Sequence, residues 1–135
     1  MTRKQFNKIT AVVYLYSSFH HQFILEKDCN KKRAAAFQIP ISFDTNPDTQ
    51  IVTELATRLK MPVTLYSAPV CHPHRPDIIA TPFAMTYRPG KVSWIYLAFC
   101  GEKNINDPNT VCHREDILTT RETKEWCAYF GTLLA

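Results

Sequence analysis

The spacing of apolar residues changes period along the chain, and the changes mark out its elements. Residues 9–16 (ITAVVYLY) are β-branched and aromatic with both parities apolar, which predicts a strand buried on both faces. Ser17-Ser18 and His20-His21 supply a polar turn, and Phe23, Ile24 and Leu25 the returning strand. A helix-start signal follows: Asn46 can cap, and Pro47 suits the first helical position. Ile51, Val52, Leu55, Arg58 and Leu59 then trace one amphipathic face. Pro62 is expected to stop this helix after Met61, about four turns from its start. Residues 63–89 read as strand broken by five prolines, with residues 82–87 alternating well enough for a half-buried strand. Arg88-Pro89-Gly90-Lys91 has Pro at the second corner and Gly at the third of a hairpin turn, so residues 92–100 should pair back antiparallel. Residues 104–110 read as loop. Residues 123–134 read as helix, with Trp126, Phe130 and Leu133-Leu134 at three-to-four spacing. The order strand, strand, helix, hairpin, helix is that of an α/β sandwich, and no linker or repeat divides residues 1–135 into more than one domain.

Composition narrows the function classes. A chain of 135 residues with 45% hydrophobic and 21% charged residues can bury a real core. Its three glycines argue against a glycine-rich phosphate loop. Part of the net charge of +4 gathers at Arg3, Lys4 and Lys8 and in Lys31-Lys32-Arg33. The plain reading of the second cluster is a solvated hairpin loop, and the functional one an anion patch with Lys31 and Arg33 as ligand contacts. No dense basic stripe is present, so no dedicated nucleic-acid binding is expected. No run approaches the about 18 apolar residues of a membrane helix. MTRKQFNK has no apolar core after its charges, and the five cysteines are scattered and odd in number. Together these lead to the expectation of a cytoplasmic protein.

Residues 37–63 (FQIPISFDTNPDTQIVTELATRLKMPV) carry a resemblance to a known motif. They resemble the Nudix box, in which an aromatic-x-Leu-Pro-Gly-Gly turn leads into a helix reading Arg-Glu-apolar-x-Glu-Glu-x-Gly-apolar. Phe37-Gln38-Ile39-Pro40 matches the approach to the turn, and Thr53-Glu54-Leu55 stands where Arg-Glu-apolar belongs. Thr57 and Arg58 take the places of two metal-binding glutamates, Ile41-Ser42 takes the place of Gly-Gly, and the segment before the helix is shorter than usual. The opening hairpin, the strand at 91–100 and Glu125-Trp126, which resembles a Trp-containing segment often preceding the last helix, extend the likeness over most of the chain. The resemblance implies a Nudix-like α/β/α sandwich with a mixed β-sheet, one central box-type helix and a C-terminal helix.

It also implies a chemistry. Nudix hydrolases cleave a diphosphate linked to another group, with Mg²⁺ or Mn²⁺ binding phosphate oxygens and activating water. A hard cation needs several carboxylates on one face. This helix offers Glu54, with Asp48 at its start and Asp44 in the turn before, and Arg58 sits one turn from Glu54 as an ordinary ion pair would. A β-branched Ile41 resists the positive φ that the missing glycine would allow. No catalytic residue is therefore assigned, Glu54 is the sole candidate, and no cofactor is expected unless catalysis survives.

Other chemistry-bearing residues are Cys71, His72, His74, Cys112 and His113, adequate in kind for Zn²⁺ but poorly spaced. Cys71 or Cys112 with a neighbouring His would also make a nucleophile pair, though no supporting motif surrounds them. On the hairpin, alternation puts Trp94 and Tyr96 on one face and Ile95, Leu97 and Phe99 on the other, so Trp94, Tyr96 and Tyr87 are candidates to stack a base in an exposed groove, with Arg58 as a further ligand contact. The resulting expectation is a Nudix-like protein that has lost hydrolysis and serves as an interaction or adaptor module, with a protein partner or self-association, or as a nucleotide sensor. The alternatives are a divergent metal-dependent hydrolase of a nucleoside diphosphate-linked substrate, drawing on Glu102, Glu115, Asp116 or Glu122, and a zinc-bound interaction domain.

Overall fold

In the computed structural model, residues 9–27, 33–42, 46–66, 84–105, 107–114 and 117–134 are described, without the side chains of residues 87 and 88. The chain forms β1 (Ile9–Ser17), β2 (Gln22–Lys27), β3 (Ala34–Ala35), β4 (Phe37–Ile41), α1 (Pro47–Leu59), β5 (Thr64–Leu65), β6 (Ala84–Arg88), β7 (Lys91–Cys100), β8 (Thr110–Cys112) and α2 (Arg121–Leu134).

The sheet is built on β1 and β7, which run parallel along their whole length, Ile9 opposite Val92 through Ser17 opposite Cys100. Shorter antiparallel strands share their outer edges. β4 pairs with Ile9–Val13 of β1 and β2 with Leu15–Ser17, while β6 pairs with residues 91–95 of β7 and β5 with Ala98 and Phe99. Both edges therefore change partner at one level, where Tyr14 faces Leu97. β8 and β3 continue the sheet on β2.

Strand alternation sends successive residues to opposite faces. Ala11, Val13 and Leu15 join Phe37, Ile39, Ile41, Tyr96 and Ala98 against Ile51, Leu55 and Leu59 of α1. Tyr14 joins Phe23, Leu25, Ile95 and Leu97 against Cys127 and Phe130 of α2. One helix covers each face, which is the expected α/β/α sandwich with a mixed sheet, and β1 is buried on both faces as its double-parity pattern predicts.

The helix ends follow local chemistry. Asn46 adopts extended backbone, and its Oδ1 accepts from the Asp48 N–H at 2.8 Å with Pro47 in the first turn. The far end departs from expectation. α1 stops at Leu59 rather than Met61, because Lys60 turns left-handed (φ 57°) and its N–H bonds back to the Ala56 carbonyl. Proline is thus not what ends this helix. Thr120 caps α2, accepting the Thr123 N–H at its hydroxyl (3.2 Å), so α2 begins at Arg121, and Trp126 lies inside the helix rather than ahead of it.

Two further differences bear on the site. Residues 37–41 form a strand with strict in–out burial that runs through Pro40, not a turn opening at it. The hairpin turn at Pro89-Gly90 forms as read, with Gly90 at φ 79°, the conformation a type II third corner requires. Among the described residues no helix is long and apolar enough to cross a membrane.

Candidate functional site

Glu54 and Arg58 lie one turn apart on α1, and Arg58 Nη2 donates to Glu54 Oε1 at 3.2 Å. The other terminal nitrogen, Nη1, donates to Glu26 Oε2 at 2.5 Å. Glu26 shares strand parity with Ile24, whose side chain packs in the α1-side core, so β2 delivers its carboxylate to the same face. Beneath them the Arg58 guanidinium carbon sits 5.9 Å from the centre of the buried Phe37 ring. One cation thus joins α1, β2 and β4.

The turn before α1 is closed by a side chain. Gln50 Oε1 accepts the Ser42 N–H at 2.9 Å, and its Nε2 donates to the Ser42 carbonyl at 2.6 Å. Positive φ occurs among the described non-glycine residues at His21 and Lys60, not at Ile41 or Ser42. The end of β4 is pinned to α1 by Gln50, with no glycine at Ile41 or Ser42.

These residues do not fit a divalent metal. A hard cation takes six or more oxygen ligands, and Mg²⁺ is usually held by one or two carboxylates together with water and phosphate oxygens. Here Glu54 and Glu26 are both engaged by a guanidinium that cannot lose its charge. Asp48 sits in the first turn of α1, near enough to the buried Tyr96 to help raise its hydroxyl pKa, a rise due first to burial. No three of His, Cys, Asp or Glu converge among the described residues, and Asp44 lies outside them.

The aromatic candidates separate. Trp94 and Tyr96 do share a face, as alternation requires, but that face is covered by α1. Tyr96 is 2% exposed, which removes it as a stacking residue, and Trp94 packs half-buried against the same core. The expectation failed because α1 lies over that face of β7. Tyr87 stands on β6 opposite Val92, with its side chain outside the described atoms. Arg33 is exposed just before β3, and Lys31 lies outside the described residues.

On the other face, a cavity of about 460 Å³ opens between the sheet and the start of α2. Gln38, Thr86, Ser93, Lys91 and Glu122 line it with polar groups, the half-buried Val12 and Ala35 add apolar surface, and the buried Tyr14 and Ala36 stand behind them. Tyr14 is fully buried, and its hydroxyl has no hydrogen-bond partner. Burial pushes its pKa well above the ordinary phenol range, and Thr123 offsets a part of this without completing a hydrogen bond. Sequence reasoning missed these residues, apart from Glu122. The available signal was the β4 alternation, which leaves Gln38 outward between the inward Phe37 and Ile39.

Two of the three described thiols are shielded from reaction. Cys100 and Cys127 are buried and free, and burial pushes their pKa values up to about 11 and about 12. Cys112 packs partly buried against the α1-side core. The next residue, His113, donates its backbone N–H to the Phe23 carbonyl, and its imidazole pKa is lowered by burial and then by Lys124. Cys71, His72 and His74 lie outside the described residues, as do Glu115 and Asp116, while Glu102 is exposed in a loop.

No family model matches this sequence. No curated protein matches it either. Solved structures do match in fold. A Nudix-family hydrolase from Clostridium perfringens superposes with a TM-score of 0.77 at 12% identity, over 95% of this chain and 98% of that one. The Ap4A hydrolase of C. elegans gives 0.64 at 15% identity, over 95% and 98%. An ADP-ribose pyrophosphatase from Streptococcus suis gives 0.57 at 11% identity, over 91% and 90%. The chain therefore has a Nudix-like fold, spanning nearly the whole of these hydrolases. At such identities the likeness is one of fold.

Proposed function

We propose that this Nudix-fold chain binds a nucleoside diphosphate-type ligand and has lost metal-dependent hydrolysis of it, which makes it a nucleotide-sensing module. The cavity between the sheet and α2 carries this reading. Its volume of about 460 Å³ lies in the range of small-molecule sites, about 300–1,000 Å³. The half-buried Val12 and Ala35 leave a small apolar surface for a base, the Gln38 amide and the Ser93 and Thr86 hydroxyls can pair with its edge, and the Lys91 ammonium suits a phosphate. Two of the structural neighbours are named for dinucleotide and ADP-ribose substrates, which points to the same ligand class. Loss of hydrolysis rests on the Arg58 bridge, which engages the sole box-type carboxylate.

The test is a thermal-shift screen of nucleosides and nucleoside diphosphate compounds in EDTA, repeated with Mg²⁺. A ligand at a hundred times its Kd stabilises the fold by about 2.7 kcal/mol, enough to read as a rise in Tm. The expected result is a rise in EDTA that Mg²⁺ does not enlarge and that Gln38→Ala and Lys91→Ala diminish. Mg²⁺-dependent phosphate release abolished by Glu122→Gln would establish the alternative, a rearranged hydrolase, which the place of Glu122 at the cavity favours.

A further inference from the structure

The Glu26–Arg58–Glu54 bridge has a property that its parts lack singly. The two carboxylates come from separate elements, β2 and α1, and converge on opposite nitrogens of one planar group. Two carboxylates brought onto one group repel each other, and a cation between them offsets that repulsion. Arg58 stands in the last turn of α1, about a third exposed, with Phe37 behind it. A guanidinium is a fixed charge: it has no accessible neutral form and does not leave, because its own helix carries it.

We propose that Arg58 is a resident cation that occupies a latent divalent-metal site, so that Glu26 and Glu54 are held together without Mg²⁺ or Mn²⁺ and the cluster excludes these ions. The bridge keeps β2 fastened to α1 at any metal concentration, whereas an exchangeable ion would make that contact depend on supply. A divalent ion approaching either carboxylate meets the positive guanidinium within hydrogen-bonding distance. Replacing Arg58 with a carboxylate puts a third acid beside two that already converge, which is the donor class a hard cation takes. The inference stands on this cluster alone and holds whether or not the cavity on the other face of the sheet takes a nucleotide.

Mn²⁺ binding read by electron paramagnetic resonance tests it, because the sharp signal of free aqueous Mn²⁺ disappears on binding. Wild type, Arg58→Glu and Arg58→Gln are compared, with melting curves in EDTA and in Mn²⁺. Wild type should leave Mn²⁺ free and melt at the same temperature in both media. Arg58→Glu should melt lower than wild type in EDTA, bind close to one equivalent of Mn²⁺ at least tenfold tighter than wild type, and regain melting temperature with it. Wild type binding Mn²⁺ as tightly as Arg58→Glu would overturn the proposal, as would a folded Arg58→Glu that leaves all the Mn²⁺ free. Should Arg58→Glu fold only when Mn²⁺ is present, the proposal is supported. Should it fold in neither medium, Arg58→Gln decides: a Mn²⁺-dependent rise in Tm that wild type lacks supports the latent site, and no rise refutes it.

Discussion

Gln50 holds Ser42 by both of its backbone groups, accepting the N–H at 2.9 Å and donating to the carbonyl at 2.6 Å. A side chain from the first turn of α1 thereby extends the ladder of β4 by one residue and closes the turn without a glycine. Both groups are exposed, so each bond is worth less than the usual ~1 kcal/mol for a net hydrogen bond. Gln50→Ala should destabilise the fold by about 1 kcal/mol in total, a fall of roughly 4 °C in Tm for a chain of this size. Calorimetry checks it, and a Gln50→Glu variant, which can accept from Ser42 but not donate to it while ionised, should fall between the two.

Tyr14 presents the opposite case, a buried hydroxyl without a partner. Leaving such a group unsatisfied costs about 1–3 kcal/mol, whereas removing it with its shape conserved is close to neutral or favourable. Tyr14→Phe is expected to stabilise the protein by about 0.5–1 kcal/mol in urea melts. A loss of stability would mean that the hydroxyl has a bound water or other partner.

Lys60 ends α1 at φ 57°. A residue with a Cβ in this conformation costs about 1–2 kcal/mol, which glycine avoids, although glycine also loosens the unfolded chain. Lys60→Gly should therefore raise stability by a net of about 0.5 kcal/mol, and Lys60→Val, β-branched at the same φ, should lower it by more than that. The two opposite signs from one position are the measurement.

Alkaline pH should weaken the fold through its thiols. Cys100 and Cys127 titrate near the ordinary thiol value of 9.0 when unfolded, and are pushed up to about 11 and about 12 when folded, because burial opposes the thiolate. The folded state holds the proton more tightly, so the contribution is complete below pH 9 and is lost as pH rises toward those folded values. Stability should fall across pH 9–10 by about 1.4 kcal/mol per pH unit per fully ionised unfolded thiol. Cys127→Ala should melt lower at pH 7 yet show a shallower decline. In the native protein at pH 8, Cys112, the least buried of the described cysteines, should react with a thiol reagent well before the other two.

Much of this architecture is legible in local chemistry. The doubly apolar run at 9–16 announces a central strand, Asn46-Pro47 a helix start, and Pro89-Gly90 a hairpin, because each depends on residues a few positions apart. Glu54 and Arg58 are readable as a pair for the same reason. The helix end at Lys60 was not readable, since Pro62 is the stronger breaker signal and the cap lies in one backbone angle. Tyr96 was misjudged because alternation states which residues share a face and not what covers it.

What the sequence determined by itself is therefore the opening hairpin, the hairpin at Pro89-Gly90, the two helices and the Asn46 cap, all set by near neighbours in the chain, whereas the strands at 34–35, 37–41 and 110–112 were not read from it. The partner of Arg58 across 32 residues, the helix laid over Tyr96 and the cavity between Tyr14 and α2 were decided by tertiary structure. The physical reason is one of range. Periodicity and capping act within a turn or two, whereas burial and charge pairing depend on which distant surfaces the packed sheet and its two helices bring together.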